Sequence, residues 1–155
     1  YLEGDLEMVR EMLTHPQASF VLSDAGAHCG TVCDGSFPTT MLTHWVRDRA
    51  RGEKLPLEWV IQKLTRGGAD LVGLKDRGLL APGMKADVNV IDFDALALHA
   101  PQVVRDLPAN GRRLLQRASG YRYSVISGEV AFIDGEGTGT RRGRLLRGAR
   151  PDPRA

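Results

Sequence analysis

Ser19-Phe20-Val21-Leu22-Ser23 is a short apolar run of the kind that forms a buried parallel strand, and the front half of the chain holds no second one. A lone strand cannot make a sheet, so this run must find its neighbours elsewhere. The polar break Asp24-Ala25-Gly26-Ala27-His28 follows at once, and a helical pattern precedes it. Helix, strand and a polar residue at the strand's C-terminal end form the grammar of an α/β unit. At 155 residues the chain suffices for one ordinary domain.

The flanking segments have their own signals. In residues 5–15, Leu6, Val9, Met12 and Leu13 fall on one helical face, and Pro16 stops the helix. A second helix is predicted from about Thr39 to Arg51 on Met41, Leu42, Trp45 and Val46, with Gly52 beyond its end. A third, over roughly 57–72, buries Trp59, Val60, Ile61, Leu64, Leu71 and Val72, with Gly67-Gly68 weakening its middle. From Leu74 the character changes to turns and strands. Residues 86–93 alternate as a half-buried strand does, and 123–127 and 130–133 read as a hairpin around Gly128-Glu129. The connection between them reads as irregular or helical, and the last ~20 residues as an extended, Gly- and Arg-rich tail.

Charge and composition exclude several classes. No apolar run approaches the ~20 residues of a membrane span. The start has neither a Met nor a basic segment followed by an apolar one, so it reads as neither a signal peptide nor a natural beginning. Net charge is +2, with about +5 concentrated from Arg141 onward. That tail lacks the interleaved aromatics of a nucleic-acid binder, and a solvated or packing arm is expected; no nucleic-acid partner is. Gly135-Glu136-Gly137-Thr138-Gly139 lacks the Lys of a phosphate loop and reads as a turn. Two cysteines spaced C-x3-C are not a disulfide framework, so a reducing cytoplasm is the expected compartment.

Asp24 is the strongest candidate for chemistry. At a strand's C-terminal end it can hold a metal, act as general base toward a metal-bound water, or simply accept backbone N–H bonds in the turn Ser23-Asp24-Ala25-Gly26. His28, four residues on, can meet a substrate carboxylate or lend a proton, or stand solvated in a loop. His15, His44 and His99 read as structural or exposed. His28, Cys29 and Cys33 lack a fourth ligand, and no H-x-H or H-E-x-x-H occurs, so no metal site is expected within the chain.

Four stretches carry a resemblance. They are Leu22-Ser23-Asp24-Ala25-Gly26-Ala27-His28; Ser36 to Thr40 with Thr43 to Arg47; Leu74 to Leu80 with Pro82 to Val88; and Thr138 to Arg147. In that order they resemble the amidohydrolase superfamily, and within it the N-acyl-D-amino-acid deacylase (D-aminoacylase) type.

The resemblance implies the C-terminal part of a zinc-carrying (β/α)8 barrel, its last strand and closing helices, followed by part of a small β-sandwich domain: α/β, then β. It would divide the chain into barrel end (1–75), β-domain share (76–134) and tail (135–155). A barrel of that kind needs ~250 residues, so the chain is expected to be a segment that is inactive alone and partnered by the remainder of the barrel. The resemblance makes Asp24 the proton carrier between water and leaving amine, with His28 and Ser23 as substrate contacts. Zinc would sit on earlier strands, with none expected on the isolated chain. Two alternatives stand beside this: a dihydroorotase- or hydantoinase-like cyclic amidohydrolase, and a non-catalytic module that pairs its strand with a partner or itself.

Overall fold

The computed structural model of the chain describes residues 5–20, 23–24, 26 and 28–155. Helices come first. α1 (Glu7–Thr14) starts where Asp5 Oδ1 accepts the Glu7 N–H at 3.0 Å. α2 (Phe37–Thr40) follows a 3-10 turn at Asp34–Ser36 and continues as a π-helical segment, Met41–Asp48. α3 (Leu57–Gln62) runs through a second π-helical segment (Lys63–Gly67) into α4 (Gly68–Leu71).

The strands follow: β1 (Val88–Ile91), β2 (Ala97–Leu98), β3 (Gln102–Leu107), β4 (Gly111–Leu115), β5 (Ala118–Ser119), β6 (Tyr121–Ile126), β7 (Glu129–Ile133) and β8 (Glu136–Gly137). All their pairings are antiparallel. One sheet has the order β1-β6-β7-β8, and β2-β5 and β3-β4 form separate two-stranded ladders. Among the described residues there is no closed barrel.

One core serves helices and strands together. Phe20, Met41, Leu42, Trp45, Leu55, Val60 and Leu96 are buried in it, and Leu6, Val9, Leu13, Ile91, Phe93 and Tyr121 pack around them. Phe20 meets Phe37 and Trp59 edge-on, with ring centroids 6.0 and 5.6 Å apart. Arg47 joins the two halves: its guanidinium donates to the carbonyls of Phe93, Asp94 and Leu96 and lies over the Phe93 ring.

The structure corrects several expectations. Val21 and Leu22 of the predicted strand lie outside the described residues, and Ser19, Phe20 and Ser23 beside them carry no regular structure. Met12, Ile61, Leu71 and Val72, expected inside, are exposed, because the core claims only one side of each helix.

The second helix ends at Asp48, three residues early. Arg49 leaves helical geometry there and is itself buried. Its guanidinium sits 4.7 Å from the centre of the Trp45 ring, donates to the carbonyls of Arg51 and Glu53, and pairs with Glu7. Those bonds supply the partners that a buried charge requires, and they turn the chain back.

The third helix runs on through Gly67-Gly68, its hydrogen bonding widened to the π pattern over Lys63–Gly67. The connection expected to be irregular or helical holds the β3–β4 hairpin, closed by three residues with Ala109 and Asn110 at positive φ. Gly135 does lie in a turn, yet Glu136–Gly137 beyond it forms β8.

Acid sensitivity follows from the ion pairs at the entry to β1. Arg77 bonds both oxygens of Asp76 at 2.8 and 3.0 Å and holds its carboxyl below the ordinary 3.8. Burial pushes Asp87 up, but Lys85 at 2.6 and 2.8 Å and the Ser127 N–H at 2.8 Å outweigh it and lower it. Both groups are depressed in the folded state. They contribute stability above the unfolded value of 3.8, and that contribution is lost as pH falls through the folded values. Melts between pH 7 and pH 2 should show Tm falling below about pH 4, and less steeply in Asp76→Asn. An unchanged slope in that variant would contradict the assignment.

Candidate active site

An open cleft of about 510 Å³ is lined by Ser23, Asp24, Asp34, Ser36, Phe37 and Thr40. Two of the three predicted site residues, Ser23 and Asp24, therefore line it. Asp24 is exposed and adopts φ +55°, a left-handed conformation that Asp tolerates better than most residues. Ser23 is half-buried. His28 is exposed at φ +47° and is not among the cleft-lining residues. Its carbonyl accepts the N–H groups of Thr31 and Val32 at 2.8 and 3.1 Å, so its backbone organises the loop.

The other lining residues were not legible as a site. Asp34 opens the 3-10 turn, and Ser36, Phe37 and Thr40 lie on that turn and on α2. The signal that could have flagged them is Asp34-Gly35-Ser36-Phe37-Pro38, a polar turn running into a Pro-marked helix start. The cleft presents two carboxylates, hydroxyls and one aromatic ring, with no cation among its lining residues. Such a wall can accept hydrogen bonds from N–H groups and take a proton from water.

Hydrogen bonds anchor the loop and helix start to the strands. The Leu114 N–H donates to Cys29 O at 2.7 Å, Ser36 Oγ lies 2.5 Å from Gln116 Oε1, and Thr39 Oγ1 and the Tyr121 hydroxyl are 2.7 Å apart.

The zinc implied by the resemblance does not fit the described residues. No group of three His, Cys, Asp or Glu among them could hold a metal ion, and Cys29 and Cys33 are free thiols. His15 and His99 are exposed, and His44 stands edge-on to Trp45 at 5.2 Å.

The amidohydrolase family model matches residues 5–132. The chain belongs to the amidohydrolase family. Among curated relatives it is 33% identical over 92 residues to an imidazolonepropionase of Ruegeria sp. (strain TM1040), covering 59% of this chain and 23% of the relative. It is 35% identical over 95 residues to an adenine deaminase of Cereibacter sphaeroides, 58% of this chain and 16% of the relative. A 39-residue stretch is 54% identical to a 5-methylthioadenosine/S-adenosylhomocysteine deaminase of Pelotomaculum thermopropionicum, 25% of this chain and 9% of the relative. This amidohydrolase chain thus spans less than a quarter of the length of these relatives. No solved structure matches it at comparable significance. Among the described residues no helix is long and apolar enough to cross a membrane.

Proposed function

We propose that this chain supplies one wall of the active site of a hydrolase acting on C–N bonds, with Asp24 as its proton carrier. The observation that carries the proposal is the convergence of Asp24 and Ser23 with Asp34, Ser36 and Phe37 on a single cleft in a family member. Water adds to the carbon of the C–N bond, Asp24 takes its proton, and the C–N bond breaks as Asp24 returns the proton to the leaving nitrogen. Ser23 and the other lining residues position the substrate, and His28 serves from the loop beyond.

An N-acyl-D-amino acid is the substrate this reading favours, since the Asp76-Arg77-Gly78 and Thr138-to-Arg147 runs resemble the deacylase type. A second reading, hydrolysis at a ring or ring-borne nitrogen, is favoured by the relatives named adenine deaminase and imidazolonepropionase.

The remaining barrel strands, and the zinc site with them, come in this proposal from outside residues 1–155. Support lies in the small share of each relative that the chain spans. It also lies in an exposed apolar row, Val90, Tyr123 and Ile133, which stand beside one another across β1, β6 and β7 as a face suited to a further layer. The free thiols of Cys29 and Cys33 suit a cytoplasmic location.

The test is turnover by the full-length protein of N-acetyl-D-methionine, dihydrouracil and adenine. Release of acetate from the first alone establishes the deacylase reading. Turnover of the ring substrates alone establishes the second, and hydrolysis of none of the three overturns both.

A further inference from the structure

Ser36 differs from the other cleft hydroxyls because its single proton has two acceptors to choose between. Cys33 O lies at 3.4 Å and Gln116 Oε1 at 2.5 Å. The shorter contact takes the proton, since hydroxyl donors bond best near 2.7–2.8 Å and weaken with distance. Gln116 is in turn oriented from its other end, where Nε2 donates to His99 O at 3.0 Å. A backbone carbonyl only accepts, so it fixes which end of the amide is the donor and leaves Oε1 toward Ser36. His99 directly follows β2 and Gln116 lies between β4 and β5, and a separate bond from the Leu114 N–H of β4 to Cys29 O ties that strand to the cleft loop.

From this chain of bonds we propose that Gln116 is a positioning residue for the active site. It commits the Ser36 proton away from the cleft, so Ser36 offers the substrate lone pairs alone and acts as an acceptor for a substrate N–H. The inference rests on the reading of the cleft as the substrate site. It adds that substrate recognition depends on a residue about 80 positions later in the chain, one that does not line the cleft itself. Every substrate class considered carries an N–H near the bond that breaks, so an enforced acceptor favours productive binding more than the chemical step.

The experiment is a double-mutant cycle on Gln116→Met, which keeps the length of the side chain and removes its hydrogen bonds, and Ser36→Ala. Two readouts are taken. In the full-length protein, with whichever of N-acetyl-D-methionine, dihydrouracil and adenine it turns over, each single variant should raise KM about tenfold with kcat within about twofold. The double variant should be no worse than either single one, because both remove one interaction.

In the full-length protein, amide exchange over residues 29–37 should also quicken several-fold in Gln116→Met while residues 57–71 stay unchanged. Unaltered KM in either single variant, or effects that multiply in the double, would overturn the proposal. So would exchange that quickens equally in both segments, which marks general destabilisation. Full turnover by Asp24→Asn would separately remove the cleft assignment on which the inference rests.

Discussion

Replacing Asp24 by Asn should lower kcat of the full-length protein about a thousandfold and leave Tm within about 2 °C. The size follows from the role, since a positioned proton carrier contributes roughly 10²–10⁴-fold. The small stability effect follows from the setting. Asp24 is exposed on the cleft wall, and no side-chain hydrogen bond ties it to another described residue. Exposed substitutions of that kind stay within about 0.5 kcal/mol, roughly 2 °C for a chain of this size.

Asn is the better replacement because residue 24 sits at φ +55°. Asn keeps the shape and tolerates the left-handed region, whereas Ala there adds about 1 kcal/mol of strain that would blur the result. Steady-state kinetics beside a thermal melt reads both quantities. Retained turnover removes Asp24 from the chemistry, and lost turnover with a melt lowered by many degrees makes its role structural.

Gly120→Ala should destabilise the fold by about 3 kcal/mol, lowering Tm by roughly 6–12 °C. Gly120 adopts φ +95°, and a Cβ added there would stand 2.6 Å from the Cα and 2.8 Å from the N of Leu96. Leu96 is fully buried in the shared core, and the obstruction is backbone, which cannot swing aside as a side chain does. Two costs therefore combine: about 1 kcal/mol or more for the backbone conformation, and about 1–3 kcal/mol for overpacking.

Gly128→Ala is the control. Gly128 has a similar φ of +81°, but nothing lies within 4 Å of its added Cβ, so it should lose only the first contribution. Urea or thermal melts of the two variants separate the costs. Equal losses would mean that the approach of Gly120 to Leu96 contributes nothing to stability.

The same contrast explains what could be read early. The β6–β7 hairpin was visible from Gly128, but its turn is Ser127-Gly128, both at positive φ, one residue earlier than the expected Gly128-Glu129, and Glu129 opens β7. The β3–β4 hairpin was not visible. Both faces of β3 are largely exposed, so no one-sided burial imprinted an alternating pattern to accompany the turn residues Pro108 and Asn110-Gly111.

In the cleft, Asp24 could be singled out because it ends an apolar run. Asp34 and Phe37 gave no such cue, since their relevance lies only in lining the same cleft as Asp24. Gln116 was beyond reach for a stronger reason: its partner Ser36 is 80 residues away.

By itself, then, the sequence determined where most helices begin, where the tight turns fall, and which family the ordered motifs resemble. Those properties are local: a helix records its buried face every three or four residues, and a turn needs particular residues at particular φ. Only the tertiary structure decided that β1 pairs with β6 across the whole intervening hairpin, that Arg49 is buried against Trp45, and that Ser36 reaches Gln116. Such encounters depend on how packed elements bring distant residues together, and the period of a single segment carries no record of the partner it will meet.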